Sequence, residues 1–329
     1  MTSQNLGGYV LEEELGRGSM GSVYRGTQRA LGRDVAVKIF SPHLAHDPSF
    51  PTRFLREAQI IARLNHPHIV HIYDAGQQGE VLYFVMEWVQ GPTMGSLLRL
   101  DGSLPPHLAV EYVAQVADAL DAAYQACGVI HRDIKPENLM LDRWGKMKVL
   151  DFGLARVPGL PPITTGNTLI GSLAYTAPEQ IRGQHLDNRS DIYALGVVLY
   201  EMVTGSLPFA GRTLQELAQA ITSGQLLPPT ELMPDMSPEL EQILLTALAT
   251  NRDERFAQAA LMADALRALH LRAPGSPPAT RPFAERAQSL LPHSLQTLRP
   301  STPVIVGRLT LPMREPQTVT PRVAAPNEA

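Results

Sequence analysis

The sequence predicts an α+β chain of two lobes, β-rich first and helix-rich second. Five β-rich runs with one helical stretch among them fall within the first ninety residues, and after Gly91 apolar residues recur every three or four positions. Near Leu271 the composition changes again, to a proline-rich stretch with no sustained apolar period. The N-terminal lobe is therefore expected over about 9–87 and the C-terminal lobe over about 91–270, with a short extension at 1–8 and a tail at 271–329.

The expected strands are 10–15, 22–27, 34–39, 69–73 and 81–88, separated by glycine or polar turns. Between the third and fourth, Phe54, Leu55, Ala58, Ile61, Ala62 and Leu64 recur at helical spacing, and Asn65-His66-Pro67 ends that run. In the second lobe, segments 108–126, 191–204, 214–223, 238–249 and 257–270 read as amphipathic helices. No internal repeat of 20–50 residues is present.

With 329 residues, 44% hydrophobic and 18% charged, the chain is long enough for a large core and is not a disulfide-stapled miniprotein. The longest apolar stretch, 192–203, is interrupted by Glu201 and falls short of the roughly 20 residues that span a bilayer. The single cysteine, Cys127, fits a reducing compartment, so a cytoplasmic location is expected. A net charge of −4 offers no broad cationic surface and argues against nucleic-acid binding. The tail holds eleven prolines in 59 residues and seven arginines against three acids, so it carries about +4 against −8 for the remainder. It is expected to be disordered, with weak folding back on the body as the alternative.

Chemistry enters at Gly16-Arg17-Gly18-Ser19-Met20-Gly21-Ser22-Val23. In a dinucleotide-binding unit a helix should follow these glycines, whereas Val23-Tyr24-Arg25-Gly26-Thr27 continues as strand, so a strand–loop–strand hairpin fits better. Glycine there lets backbone approach phosphate oxygens. Taken alone the run is equally an ordinary glycine hairpin, and the absence of G-x-x-x-x-G-K-[ST] excludes a P-loop. In Val35-Ala36-Val37-Lys38, Lys38 is one of only four lysines outside the tail, against seventeen arginines, and its ammonium lies opposite an apolar face. If it needs an acidic partner from the expected helix, Glu57 is the one glutamate between Lys38 and Gly79.

The most specific string is His131-Arg132-Asp133-Ile134-Lys135-Pro136-Glu137-Asn138, followed by Asp151-Phe152-Gly153. Six fixed positions occur by chance on the order of 10⁻⁸ per start site. With Ala177-Pro178-Glu179, Ser190-Asp191-Ile192-Tyr193-Ala194-Leu195-Gly196 and Arg255, the chain resembles the bacterial eukaryotic-like (Hanks-type) Ser/Thr protein kinases over about 9–270. The resemblance implies the bilobal protein kinase fold and transfer of the ATP γ-phosphate to protein Ser/Thr hydroxyls.

It also implies roles, residue by residue. Lys38 holds the α- and β-phosphates, with Glu57 orienting it by an ion pair, and Asp151 and Asn138 ligate Mg²⁺, with Mn²⁺ as an alternative ion. Asp133 takes or orients the substrate hydroxyl proton, and Lys135 stabilises the γ-phosphate and marks Ser/Thr acceptors. ATP is expected against Leu15, Gly16, Gly18 and Gly21. Adenine lies between Val23 and Ala36 above and Met140 below, beside Met86 as gatekeeper and the backbone of Glu87 and Val89. Glu179 and Arg255 are expected to pair, and Asp191 to anchor the backbone around His131 and Arg132. His131 reads as a packed core histidine and Cys127 as a small buried residue.

Control is expected between Gly153 and Gly171, where phosphate on Thr164, Thr165 or Thr168 would pair with Arg132 and order the segment. Thr318 and Thr320 are weaker candidate sites for a phosphothreonine-binding partner. Ser172 and Met20 depart mildly from the family pattern. Related kinases continue into a membrane helix and form back-to-back dimers, so a soluble kinase, a truncated one and a homodimer all stay open. Two rival readings are a pseudokinase scaffold, which normally loses Lys38, Asp133 or Asp151, and a small-molecule phosphotransferase, which should lack the A-P-E segment.

Overall fold

The computed structural model describes residues 4–18, 21–41, 50–152 and 171–269. Gly153, Thr164, Thr165, Thr168 and the tail from Leu271 lie outside the described residues.

The first lobe is one six-stranded antiparallel sheet: β1 (Gln4–Leu6), β2 (Tyr9–Gly18), β3 (Gly21–Gln28), β4 (Arg33–Phe40), β5 (Ile72–Gln78) and β6 (Val81–Glu87), in spatial order β1-β2-β3-β4-β6-β5. Alternation along β4 sorts its side chains between the two faces. Val35 and Val37 join Leu6, Tyr9, Leu11, Tyr83 and Val85 in one apolar cluster. Phe40 faces the other way and packs with Phe84 against α1 (Phe50–Ile61) through Phe50, Phe54 and Ala58. The Phe54 ring stacks on Phe84 at 4.3 Å and meets Phe40 edge-on at 4.8 Å. Gly21 is needed where β3 begins. Its φ is +144°, and a Cβ would lie 1.8 Å from the Ile39 carbonyl oxygen.

The second lobe is helical: α2 (Met94–Asp101), α3 (Pro106–Cys127), α4 (Pro178–Ile181), α5 (Asn188–Thr204), α6 (Leu214–Ser223), α7 (Pro229–Leu232), α8 (Pro238–Ala247) and α9 (Ala259–Ala268). A hairpin of β7 (Leu139–Leu141) and β8 (Met147–Val149) lies among them. Helix ends follow local chemistry. The Asp187 side chain accepts from the Arg189 N–H at the start of α5, Thr213 and Ser237 cap α6 and α8, and left-handed Gly128, Gly205 and Gly224 close α3, α5 and α6. α5 is buried along nearly its whole length and forms the axis of the main core. No described helix is long and apolar enough to cross a membrane.

The two-lobed arrangement follows the sequence expectation, with instructive differences. The strand expected at 69–73 begins instead at Ile72. The backbone before it is already used across the lobes, where Val149 N–H donates to His68 O (2.9 Å) and Val70 N–H to Val149 O (3.1 Å). β1 falls inside the expected extension, held by pairing with β2 and burial of Leu6. α1 starts at Phe50, which stacks on Phe54. α2 and the β7–β8 hairpin were not expected. The hairpin strands have three residues each, too few to show an alternation, and their turn is built by Asp142 Oδ1 accepting from the Trp144 and Lys146 N–H groups.

Phe54 is 1% exposed between two aromatic rings. Phe54→Ala should therefore lower the unfolding free energy by about 3–5 kcal/mol, read as a lower urea midpoint at unchanged slope.

Candidate active site

The site is built on a backbone turn at His131 and Arg132. The buried Asp191 carboxylate, in the first turn of α5, accepts the His131 N–H at 2.6 Å and the Arg132 N–H at 2.8 Å. This holds Arg132 at φ +69°, a conformation costly for a residue with a Cβ. Burial pushes the Asp191 carboxyl up, while the two backbone N–H donors act the other way.

His131 is wholly buried, with Nε2 2.7 Å from Leu150 O and Nδ1 accepting the Asp133 N–H at 3.3 Å. That pairing suits a neutral ring protonated at Nε2. Phe152 packs edge-on to it at 4.7 Å. His131 is thus the packed core histidine that the sequence suggested.

Three motif side chains converge one residue later. Lys135 Nζ donates to both Asp133 carboxylate oxygens (2.9 and 2.8 Å). Asn138 Nδ2 donates to Asp133 O (2.7 Å) and Oδ2 (2.9 Å). Asn138 ends a short 3-10 turn, Pro136–Asn138, and its carbonyl accepts the Leu150 N–H, which brings the Asp151 segment alongside. Asp151 has φ +55°.

Lys38, only 8% exposed at its side chain, reaches from β4 to Asp151 Oδ2 at 2.6 Å. The expected Lys38–Glu57 pair is not made in this structure. Apolar packing seats α1 at both ends, Phe54 against the sheet and Ile61 in the main core, and the carboxylate within reach of Lys38 is that of Asp151.

The purine-pocket candidates share the Lys38 face of the sheet. Val23 pairs with Lys38 and Ala36 with Met86 in the strand registers, so all four project to one side. Met140, on β7, is half-buried, Val89 buried, and Leu15 exposed at the rim. Behind Met86 a small cavity is lined by Ile61, Val70, Ile72, Phe84, Val149 and Phe152, with Asp151 at its edge. The Glu87 carboxylate turns away to Lys148 on β8 (2.8 Å), and its N–H donates to His71 O (2.8 Å). The Glu87–Lys148 pair was missed from sequence. The scarcity of lysine outside the tail is the signal that could have drawn attention to Lys148.

Away from the cluster, Arg255 forks onto Glu179 with two 2.8 Å bonds, and Ser190 donates to the same carboxylate at 2.7 Å. Burial would raise the Glu179 carboxyl, but the Arg255 and Ser190 hydrogen bonds hold it below the usual range. Arg255 also donates to Ala249 O, Arg189 O and Thr250 O, so α4, α5 and the 252–254 turn close on one guanidinium.

A family model described as the protein kinase domain matches residues 9–266. The chain belongs to the protein kinase family. Serine/threonine-protein kinase PknB of Mycolicibacterium smegmatis is 43% identical over 280 residues, 82% of this protein kinase chain and 44% of the relative. PknB of Mycobacterium tuberculosis is 40% identical, over 86% of this chain and 46% of the relative. The chain therefore spans less than half the length of these curated relatives. The crystal structure of the Mycobacterium tuberculosis PknI kinase domain aligns at a TM-score of 0.65 with 30% identity, covering 81% of this chain and 98% of that domain.

The Arg255–Glu179 pair is 0% and 4% exposed. Arg255→Ala, which leaves a buried carboxylate unpaired, should cost about 3–5 kcal/mol of unfolding free energy. Because the folded carboxyl lies below its unfolded value, the pair's contribution is complete above about pH 5 and is lost as the pH falls through the folded value. The stability gap between wild type and Glu179→Gln, followed by chemical denaturation, should accordingly be flat above that pH and narrow below it.

Proposed function

We propose that residues 9–270 form a serine/threonine protein kinase domain that transfers the ATP γ-phosphate to protein hydroxyls. The observation that carries this reading is the convergence of Asp133, Lys135 and Asn138 on one loop, next to Asp151 paired with Lys38.

The residues divide the work by chemistry. Asn138 spends its amide N–H on Asp133, which leaves its Oδ1 and the Asp151 carboxylate as hard oxygen donors for a divalent ion. Two protein ligands plus phosphate oxygens and water suit Mg²⁺, with Mn²⁺ as the alternative. When bound, the ion neutralises phosphate charge. Lys38 exchanges Asp151 for the α- and β-phosphates, and Glu57 becomes its partner in that state. Asp133, 40% exposed, accepts the hydroxyl proton as the substrate oxygen bonds to the γ-phosphorus and the bond to ADP breaks. Lys135 holds the transferring phosphoryl group. Ala36, Val23 and Met140 enclose the purine, with the Glu87 and Val89 backbone at its edge.

Autophosphorylation on Thr164, Thr165 or Thr168 fits as the activating step, with Arg132 beside the base as the phosphate partner. Phosphorylated Thr318 or Thr320 would suit a phosphothreonine-binding partner. A catalytic domain with one cysteine and no described membrane helix fits the cytoplasmic side, and a homodimer is compatible with this reading.

Purified protein with labelled ATP and Mg²⁺ should phosphorylate itself or a generic protein substrate. Asp133→Asn should reduce kcat by about 10²–10⁴-fold, and Lys38→Met should abolish transfer. Absence of transfer despite measurable Mg–ATP binding would favour the scaffold reading. Phosphosite mapping should find the activation-segment threonines, and replacing all three by alanine should lower activity; unchanged activity in that variant overturns self-activation. Glu57→Gln should raise KM for ATP, as loss of a lysine-orienting partner requires.

A further inference from the structure

The sheet face that carries Lys38 also carries Arg25. Val23 pairs with Lys38 and Arg25 with Ala36 in the β3–β4 register, so Arg25 projects on the nucleotide side, two residues along from the purine roof. Its guanidinium lies over the Trp88 ring, 4.5 Å from the centroid. Asp34 (3.3 Å) and Glu12 (3.7 Å) flank it, and its Nε is buried without a hydrogen-bond partner. Nη2 donates to Asp34 Oδ1 at 3.3 Å, while the stack on the indole orients the rest of the guanidinium, whose Nε has no hydrogen bond of its own.

Trp88 stands between the two residues whose backbone meets the purine edge. Glu87 is tied to the second lobe through Lys148 and to His71 through its N–H. Among the described residues Trp88 makes no side-chain hydrogen bond, so packing and the Arg25 cation place its indole.

We propose that Arg25 is a positioning residue for the purine subsite, which by stacking on Trp88 holds the 87–89 backbone in the geometry that receives the purine. The proposal rests on the reading of this cleft as an ATP site and adds a residue to it. Glu87 is clamped to one lobe by an ion pair and Trp88 to the other by a cation–π stack, so the connecting segment keeps one conformation as the lobes close. Arginine suits the place better than lysine, because a planar guanidinium can stack on the indole while its edge reaches two carboxylates.

The test uses Trp144→Phe as background, since Trp88 and Trp144 are the two tryptophans and Trp144 is a 70% exposed turn residue outside the cleft. In that background, Arg25→Met should shift Trp88 emission and raise both KM for ATP and the ATP dissociation constant about three- to tenfold, with kcat within twofold. Arg25→Lys should restore part of the affinity. Unchanged KM and dissociation constant, or a fall in kcat at unchanged KM, would overturn the proposal. If Arg25→Met does not fold, Arg25→Gln is read by the same criteria. The dissociation constant is measured without turnover, so a protein that binds ATP but transfers nothing would defeat the kinase reading while still deciding the role of Arg25.

Discussion

The rest of the site depends on one buried carboxylate. Asp191 sits in the first turn of a helix with almost no solvent-facing side, and its two oxygens are taken by consecutive backbone N–H groups. Satisfying both donors with one charged acceptor makes a left-handed Arg132 tolerable, because the alternative is an unpaired charge in the core. With that turn fixed, the positions of His131, Asp133 and Leu150 follow through hydrogen bonds of the His131 ring, 2.7 Å to Leu150 O and 3.3 Å from the Asp133 N–H. The candidate site side chains are thus placed from the core outward, starting from a buried helix.

The two lobes have separate apolar clusters, and polar links join them around the cleft. The Lys38–Asp151 contact spans 113 positions of sequence, the His68–Val70 backbone pairs with Val149, and Glu87 reaches Lys148. Charged groups at such a seam are satisfied by partners from the opposite lobe. α1, with Leu64, Ile69 and Ile72 after it, is the exception to this separation. Its start packs on the sheet and its end, at Ile61, enters the core of the second lobe, so its placement is tied to both.

Much of this was legible in the chain itself. Helices of ten residues or more announced themselves by apolar period, and α6, 214–223, has the bounds its period indicated. The catalytic-loop string identified Asp133, Lys135 and Asn138 as neighbours because all three lie within six residues, where local backbone geometry decides contact. The β7–β8 hairpin was invisible because three-residue strands carry no period. The strand at 69–73 was misplaced because its β-like composition serves pairing across the lobes with β8. Glu57 was singled out as the acidic partner of Lys38 by elimination along the sequence, a rule that cannot weigh a carboxylate more than a hundred residues away.

What the sequence by itself determined is residue chemistry in order: which of the longer strands and helices form, which glycines and carboxylates stand together, and the family those motifs mark. Only the tertiary structure decided which carboxylate meets Lys38, that Glu87 turns to Lys148, and that Arg25 lies over Trp88. The physical reason is range. Periodicity and motif spacing act over a few residues of backbone, whereas those contacts join separate strands or lobes, and their distances are set by how apolar faces pack.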